Sequence, residues 1–279
     1  MKIGYSSRWL FLADKEINIF EEIKWAHSIG FKIFGLNLDR KENRLISTSK
    51  LKKLRLLANK LKMQIVVRSP HHLNTSLDDK KIIEQIKKNI TIAKTVGSDR
   101  LMIHAGHILP ELELDYKKSK MYKGIKRTEL NIPKKQVEKQ FNQLILNLKQ
   151  AVKIAKEENI KIALENNGEY YQFGSNLKEY LKILNQVNGL KASISTGHAN
   201  ISGNNVDKYI SKCKNSIINL DLHDNSGKKD EHLPIGEGNI NFKKIFSKLK
   251  SKRNMTALID TYSNDLVEKA ISNLKKITK

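Results

Sequence analysis

Short apolar runs rich in β-branched residues alternate along the whole chain with longer stretches whose apolar positions recur at helical spacing. The strand-like runs are KIGYS, KIFGLN, MQIVV, RLMIHA, IKIALE, KASIS, IINLDL and MTALID. The amphipathic segments that follow them span 16–30, 48–61, 79–96, 135–158, 176–187, 203–214, 241–249 and 264–278. This alternation predicts eight strand and helix pairs, hence an α/β protein with a parallel sheet. With no break in composition, the pattern predicts a single (β/α)8 barrel over residues 1–279, because closure removes both exposed sheet edges. Gly30 and Gly97 close helical patterns and Asn241 is placed to cap one.

One long interruption, 106–134, follows the fourth strand-like run and is too long for an ordinary connection. It is expected to form a lid or surface arm. Its stretch KKSKMYKGIKR sets six basic residues around Tyr122, a composition suited to phosphate or a nucleic-acid backbone as well as to a solvated loop.

The hydrophobic share of 39% suffices for one sizeable core, and no apolar run approaches the roughly 20 residues of a membrane span. The first residues lack the apolar segment of a signal peptide, so the mature chain is expected to start at Met1. Cys213 is the only cysteine, which fits a reducing, cytoplasmic setting. The 52 Lys and Arg against 29 Asp and Glu give a net charge of +23, favouring anionic partners such as phosphorylated substrates or nucleic acid. The lysine pairs are scattered over many segments, as a solvated outer face would have them.

In a barrel of this kind the chemistry lies where strands end. His104 ends the fourth strand-like run, Glu165 the fifth, Ser195 with His198 follows the sixth, Asp221 and His223 end the seventh, and Asp260 ends the eighth. Asp230 and His232 add to them from HDNSGKKDEHLPIGEGN, residues 223–239. Carboxylates and imidazoles on separate strand ends can surround one ion and leave positions open to substrate. Gly236 and Gly238 permit tight backbone turns, and the start of the following helix could offer N–H groups to an anion.

The motifs ENNG, STGHAN and HDNSGKKDEHLPIGEGNINF resemble the xylose isomerase-like TIM barrels, which include sugar isomerases, sugar epimerases and abasic-site nucleases of the endonuclease four type. The resemblance covers nearly the whole chain. It implies a shared ion held from strands five to eight, at positions occupied here by Glu165, Ser195, Asp221 and Asp260. The sequence departs from the pattern: Ser195 stands for an Asp, Asp221 for a His, and Asp260 for a Glu. In VVRSPHH, Arg68 stands where the nuclease relatives carry an imidazole ligand, although His71 and His72 lie close by. A guanidinium has no lone pair to give a metal.

Two chemical readings follow. Three carboxylates and a hydroxyl suit Mg or Mn better than Zn, with Glu165, Asp221, Asp260 and Ser195 as ligands. Alternatively the ion has been lost, leaving imidazoles to handle protons. The resemblance implies a sugar or sugar-phosphate isomerase or epimerase working through an enediolate. Glu165 and Asp260 would be catalytic, and His104, His198, His223, Asp230 and His232 would hold substrate. An abasic-site nuclease and a non-catalytic sugar-binding or nucleic-acid-binding barrel are the alternatives.

Overall fold

The computed structural model describes residues 2–7, 18–71, 73–112, 121–203, 206–252 and 254–278. Strands β1 (Lys2–Ser6), β2 (Ile33–Asn37), β3 (Gln64–Arg68), β4 (Arg100–His104), β5 (Lys161–Glu165), β6 (Lys191–Ser195), β7 (Ile217–Leu222) and β8 (Thr256–Ile259) form one closed barrel in chain order. Every neighbouring pair is parallel, and β1 closes on β8 with Lys2 beside Thr256 and Tyr5 beside Ile259. The expected (β/α)8 architecture is therefore the one formed. Among the described residues no helix is long and apolar enough to cross a membrane.

Helices fall where the apolar periodicity puts them, at Thr48–Lys60, Lys80–Val96, Lys134–Glu157 and Phe242–Leu249 among others. Gly97 ends its helix at φ 77°, a left-handed value that costs glycine little, and Asn241 caps its helix by accepting from the Lys244 N–H at 3.0 Å. The short helix Thr196–Ile201 was not legible as a helix, because six residues give too little periodicity to read. It nevertheless carries His198.

The core has two parts. The larger one lies between sheet and helices. The smaller one fills the barrel itself and consists of Ile33, Val66, Met102, Ala163 and Leu258. Side chains two apart on a strand share a face, so this apolar layer fixes what lies above it. Val66 sets Arg68 inward, Met102 sets His104, Ala163 sets Glu165, and Leu258 sets Asp260. Below the apolar layer, Arg100 plugs the barrel by donating to the Ile218 carbonyl at 2.6 Å and to Thr256 Oγ1 at 3.3 Å. A hydrocarbon floor thus separates a charged upper layer from the opposite end.

Of the interruption at 106–134, residues 113–120 lie outside the described residues, as does His72. The described parts pack on the loop after β5. Gly124 N–H donates to Glu169 Oε2 at 2.9 Å, and Arg127 pairs with Glu179 at 2.7 Å while its guanidinium lies 5.0 Å from the Phe173 ring. Arg127, counted among the phosphate-gripping candidates, is thus engaged within the fold.

Candidate active site

Arg68, the last residue of β3, is the hub of the upper layer. Its Nη1 donates to Asp260 Oδ2 at 2.9 Å and to Ser6 Oγ at 3.0 Å, and its Nη2 reaches Asp221 Oδ2 at 2.7 Å and Glu165 Oε1 at 3.2 Å. None of these four charged side chains is more than 4% exposed. Burial acts to raise the Glu165 pKa, but the Arg68 guanidinium, with His198, overrides it and holds Glu165 below the usual carboxylate range. Asp260 is held well below that range by Arg68, His232 and His223, against the same burial. Asp221 goes the other way, because burial and the neighbouring Asp260 and Glu165 outweigh Arg68 and favour its protonated form.

The residues expected to hold a shared ion are therefore arranged around a guanidinium. All three carboxylates contact Arg68, and Ser195 Oγ pairs instead with His223 Nε2 at 2.9 Å. A guanidinium carries five donors and no acceptor, so a divalent ion could bind these oxygens only by displacing it. In this arrangement the set does not fit Mg or Mn.

His104 flanks the hub. Its Nδ1 lies 2.9 Å from Asn167 Oδ1, and Asn167 donates through Nδ2 to the Phe173 carbonyl at 2.8 Å, which fixes the amide's orientation. Nδ1 therefore carries the proton, and Nε2 turns its lone pair toward Glu165 Oε2, 3.9 Å away. Burial, helped by Arg68, lowers the His104 pKa to about 4, so the ring is neutral. The His71 ring lies 4.1 Å from it, centroid to centroid.

The other expected residues form a second cluster on the β6 and β7 side. Asp230 lies 3.3 Å from His198 Nε2, 3.3 Å from His232 Nε2 and 3.5 Å from His223 Nδ1. The far nitrogens are anchored: His198 Nδ1 to the Asn166 carbonyl and His232 Nδ1 to the Asp260 carbonyl, both at 2.9 Å, and His223 Nε2 to Ser195. Anchoring of this kind orients imidazole ligands and sets their tautomers. Candidate ligand atoms of His198, His223, Asp230 and His232 all lie within 4.8 Å of one another. Among the described residues, buried Asp230 Oδ1 and His223 Nδ1 make no hydrogen bond, so the cluster has ligand atoms to spare. Three imidazoles and one carboxylate fit a nitrogen-preferring ion such as zinc. Burial acts to lower the His232 pKa, but Asp230 and Asp260 raise it to about 9.

Local backbone builds this cluster. Gly197 lies so close to His223 that an added Cβ would fall 2.1 Å from its Cε1, so only glycine admits the imidazole. His232 sits at φ 50°, in the left-handed region that non-glycine residues rarely adopt. The Gly-rich return is organised by Asp224, whose carboxylate accepts from Asn225, Gly236 and Ile240 N–H groups at 2.9, 3.0 and 3.2 Å. Gly236 takes φ 84°, and a Cβ on Gly238 would fall 2.3 Å from Asp224 Oδ1. The anion that meets these N–H groups is thus a side chain of the same loop.

Glu165, Asp221 and Asp260 are gathered on Arg68 with His104 beside Glu165, and His198, His223, Asp230 and His232 form the imidazole side, where Ser195 bonds His223; Asp260 touches both groups, through Arg68 and His232. Sequence reasoning missed Arg68 as a participant, along with His71, Asn166 and Asn167. A signal existed for Arg68, since a charged residue at the inward parity of an apolar strand needs countercharges in the same layer.

Residues 23–277 match the xylose isomerase-like TIM barrel family. An uncharacterized protein of Methanocaldococcus jannaschii is 31% identical over 261 residues, 90% of this chain and 80% of that protein. Among solved structures, a D-tagatose 3-epimerase-like protein superposes with a TM-score of 0.80 at 26% identity, covering 100% of this chain and 97% of that one. An IOLI protein with a binding zinc atom superposes at 0.73 and 17% identity, over 100% and 96% of the two chains, a likeness of fold. Other neighbours of the same fold are sugar epimerases. With a match across most of its length and this strand order, the chain belongs to the xylose isomerase-like TIM barrel family.

Proposed function

We propose that the protein is a sugar or sugar-phosphate isomerase or epimerase that moves a proton through an enediolate. The observation that carries this reading is that one guanidinium holds both proposed proton-transfer groups, Asp260 at 2.9 Å and Glu165 at 3.2 Å, in a buried layer at one end of the barrel. Glu165, ionised at neutral pH, takes the proton from the carbon beside a carbonyl and returns it to the neighbouring carbon in an isomerisation; in an epimerisation Asp260, itself ionised, first takes a proton from water and then delivers it to the opposite face. The positive charge of Arg68 offsets the charge that develops on the substrate oxygens. Neutral His104 accepts a substrate hydroxyl hydrogen at Nε2, and His198, His223, Asp230 and His232 bind further hydroxyls. A zinc-type ion held by those last four residues would, when bound, add Lewis-acid polarisation of a carbonyl.

The D-tagatose 3-epimerase-like neighbour supports a ketose as substrate class, and the net charge of +23 supports a phosphorylated one. The lone, buried Cys213 supports a reducing compartment such as the cytoplasm.

The test is incubation with a panel of ketoses and ketose phosphates in deuterated water, followed by NMR. Loss of one substrate C–H signal is expected, slowed a hundredfold or more in Glu165→Gln. Cleavage of abasic DNA at physiological salt, lost in Glu165→Gln and with no exchange on any sugar, would establish the nuclease instead. Sugar binding with neither reaction would make the barrel a binding protein.

A further inference from the structure

We propose that Arg68 is the resident cation of this barrel, so that Glu165, Asp221 and Asp260 take up no divalent metal and any ion the protein carries sits on His198, His223, Asp230 and His232. The proposal concerns which cation the site holds, whatever the substrate.

Three carboxylates converging from β5, β7 and the end of β8 are, by themselves, an oxygen-rich trap for a hard divalent ion. Glu165 and Asp260, the two held ionised, cannot be buried without positive charge beside them, because an ionised carboxylate taken out of water costs several kcal/mol unless paired. The chain supplies that charge covalently. β3 ends in Arg68, whose inward parity is set by Val66 in the apolar layer, and its two terminal nitrogens reach all three acids at 2.7 to 3.2 Å. Ser6 Oγ, on β1, accepts from the same Nη1 at 3.0 Å and so fixes the fork from the opposite wall. A guanidinium stays charged across the working pH range and chelators cannot remove it.

The imidazole cluster is the contrasting case. Among the described residues its charged contacts with Asp230 are all imidazoles, and Asp230 Oδ1 and His223 Nδ1, 3.5 Å apart, make no hydrogen bond. The two clusters therefore call for different cations, one built in and one taken from solution.

The experiment titrates the purified, chelator-treated protein with MnCl2 and with ZnCl2, reading binding by calorimetry and, for manganese, by loss of the free-ion EPR signal. For the wild-type chain, zinc affinity should fall at least tenfold in Asp230→Asn and change less than twofold in Glu165→Gln. Arg68→Ala opens the carboxylate set. It should bind one Mn ion at least tenfold more tightly than wild type, and Arg68→Ala with Glu165→Gln should lose that gain. A wild-type Mn or Zn site weakened tenfold by Glu165→Gln would overturn the proposal, as would a folded Arg68→Ala that gains no Mn affinity. Should Arg68→Ala fail to fold, the wild-type arm alone decides. None of these readouts depends on sugar turnover, so failure of the isomerase reading leaves them intact.

Discussion

The two charged clusters at this end of the barrel solve the same problem in opposite ways. Around Arg68, acids from three strands share one permanent cation, and the fork leaves little of its donor capacity unused. Around Asp230, three imidazoles share one acid, and their charge depends on protons or on an ion from solution. The first arrangement is complete when the chain folds, whereas the second keeps donor atoms that nothing described in the fold engages. A cluster of acids and histidines at strand ends is therefore an incomplete description until its cations are counted.

The largest expected effect separates chemistry from scaffolding. Glu165→Gln should lower turnover by about 10²- to 10⁴-fold, the usual contribution of a positioned base, as measured by steady-state rates or deuterium exchange. Arg68→Ala should next cost roughly 3–5 kcal/mol of stability by leaving buried acids unpaired, read by denaturant or thermal melts. A loss below about 1 kcal/mol would mean the acids are not held by that guanidinium.

Adding an ion sharpens the contrast. Saturating zinc at about 100 times its dissociation constant should stabilise the wild-type chain by about 2.7 kcal/mol, an increment that Asp230→Asn abolishes. A smaller effect comes from His104, whose folded pKa of about 4 lies below the ordinary 6.5. The unfolded chain binds that proton first, so stability falls as pH drops from 6.5 toward 4, by about 2 kcal/mol at pH 5. Melts of His104→Gln should lack this part of the acid slope.

A further prediction concerns Asp39, which accepts from the His71 N–H at 2.6 Å and whose pKa burial raises to about 6. A raised folded pKa means that stability is greatest below the unfolded value and is lost as pH rises through 6. Asp39→Asn should therefore raise the melting temperature at pH 8 and leave it nearly unchanged at pH 3.

The barrel was legible because its alternation of period 2 and period 3.6 runs unbroken, and strands such as Lys161–Glu165 end within a residue of where the apolar runs stop. The acids and imidazoles at the strand ends were legible for the same reason. What they converge on was not. Whether Asp221 faces Arg68 or an ion depends on stagger between strands far apart in sequence, and hydrophobic pattern carries no information about that. Asn167 illustrates the limit too, since its part in fixing the His104 tautomer rests on a 2.8 Å bond to the Phe173 carbonyl that no local rule foretells.

Arg68 also bears on how the barrel can be assembled. It lies on β3, whereas Glu165, Asp221 and Asp260 come from β5, β7 and the residue after β8, so these three acids all belong to the second half of the chain. A first half folded alone would leave Arg68 without these three acids. Closure of β8 on β1 brings Asp260 to within 2.9 Å of Arg68 and Ser6 to the same nitrogen. The hub thus acts as a latch between the halves, tying the end of β3 to residues at the ends of β5, β7 and β8.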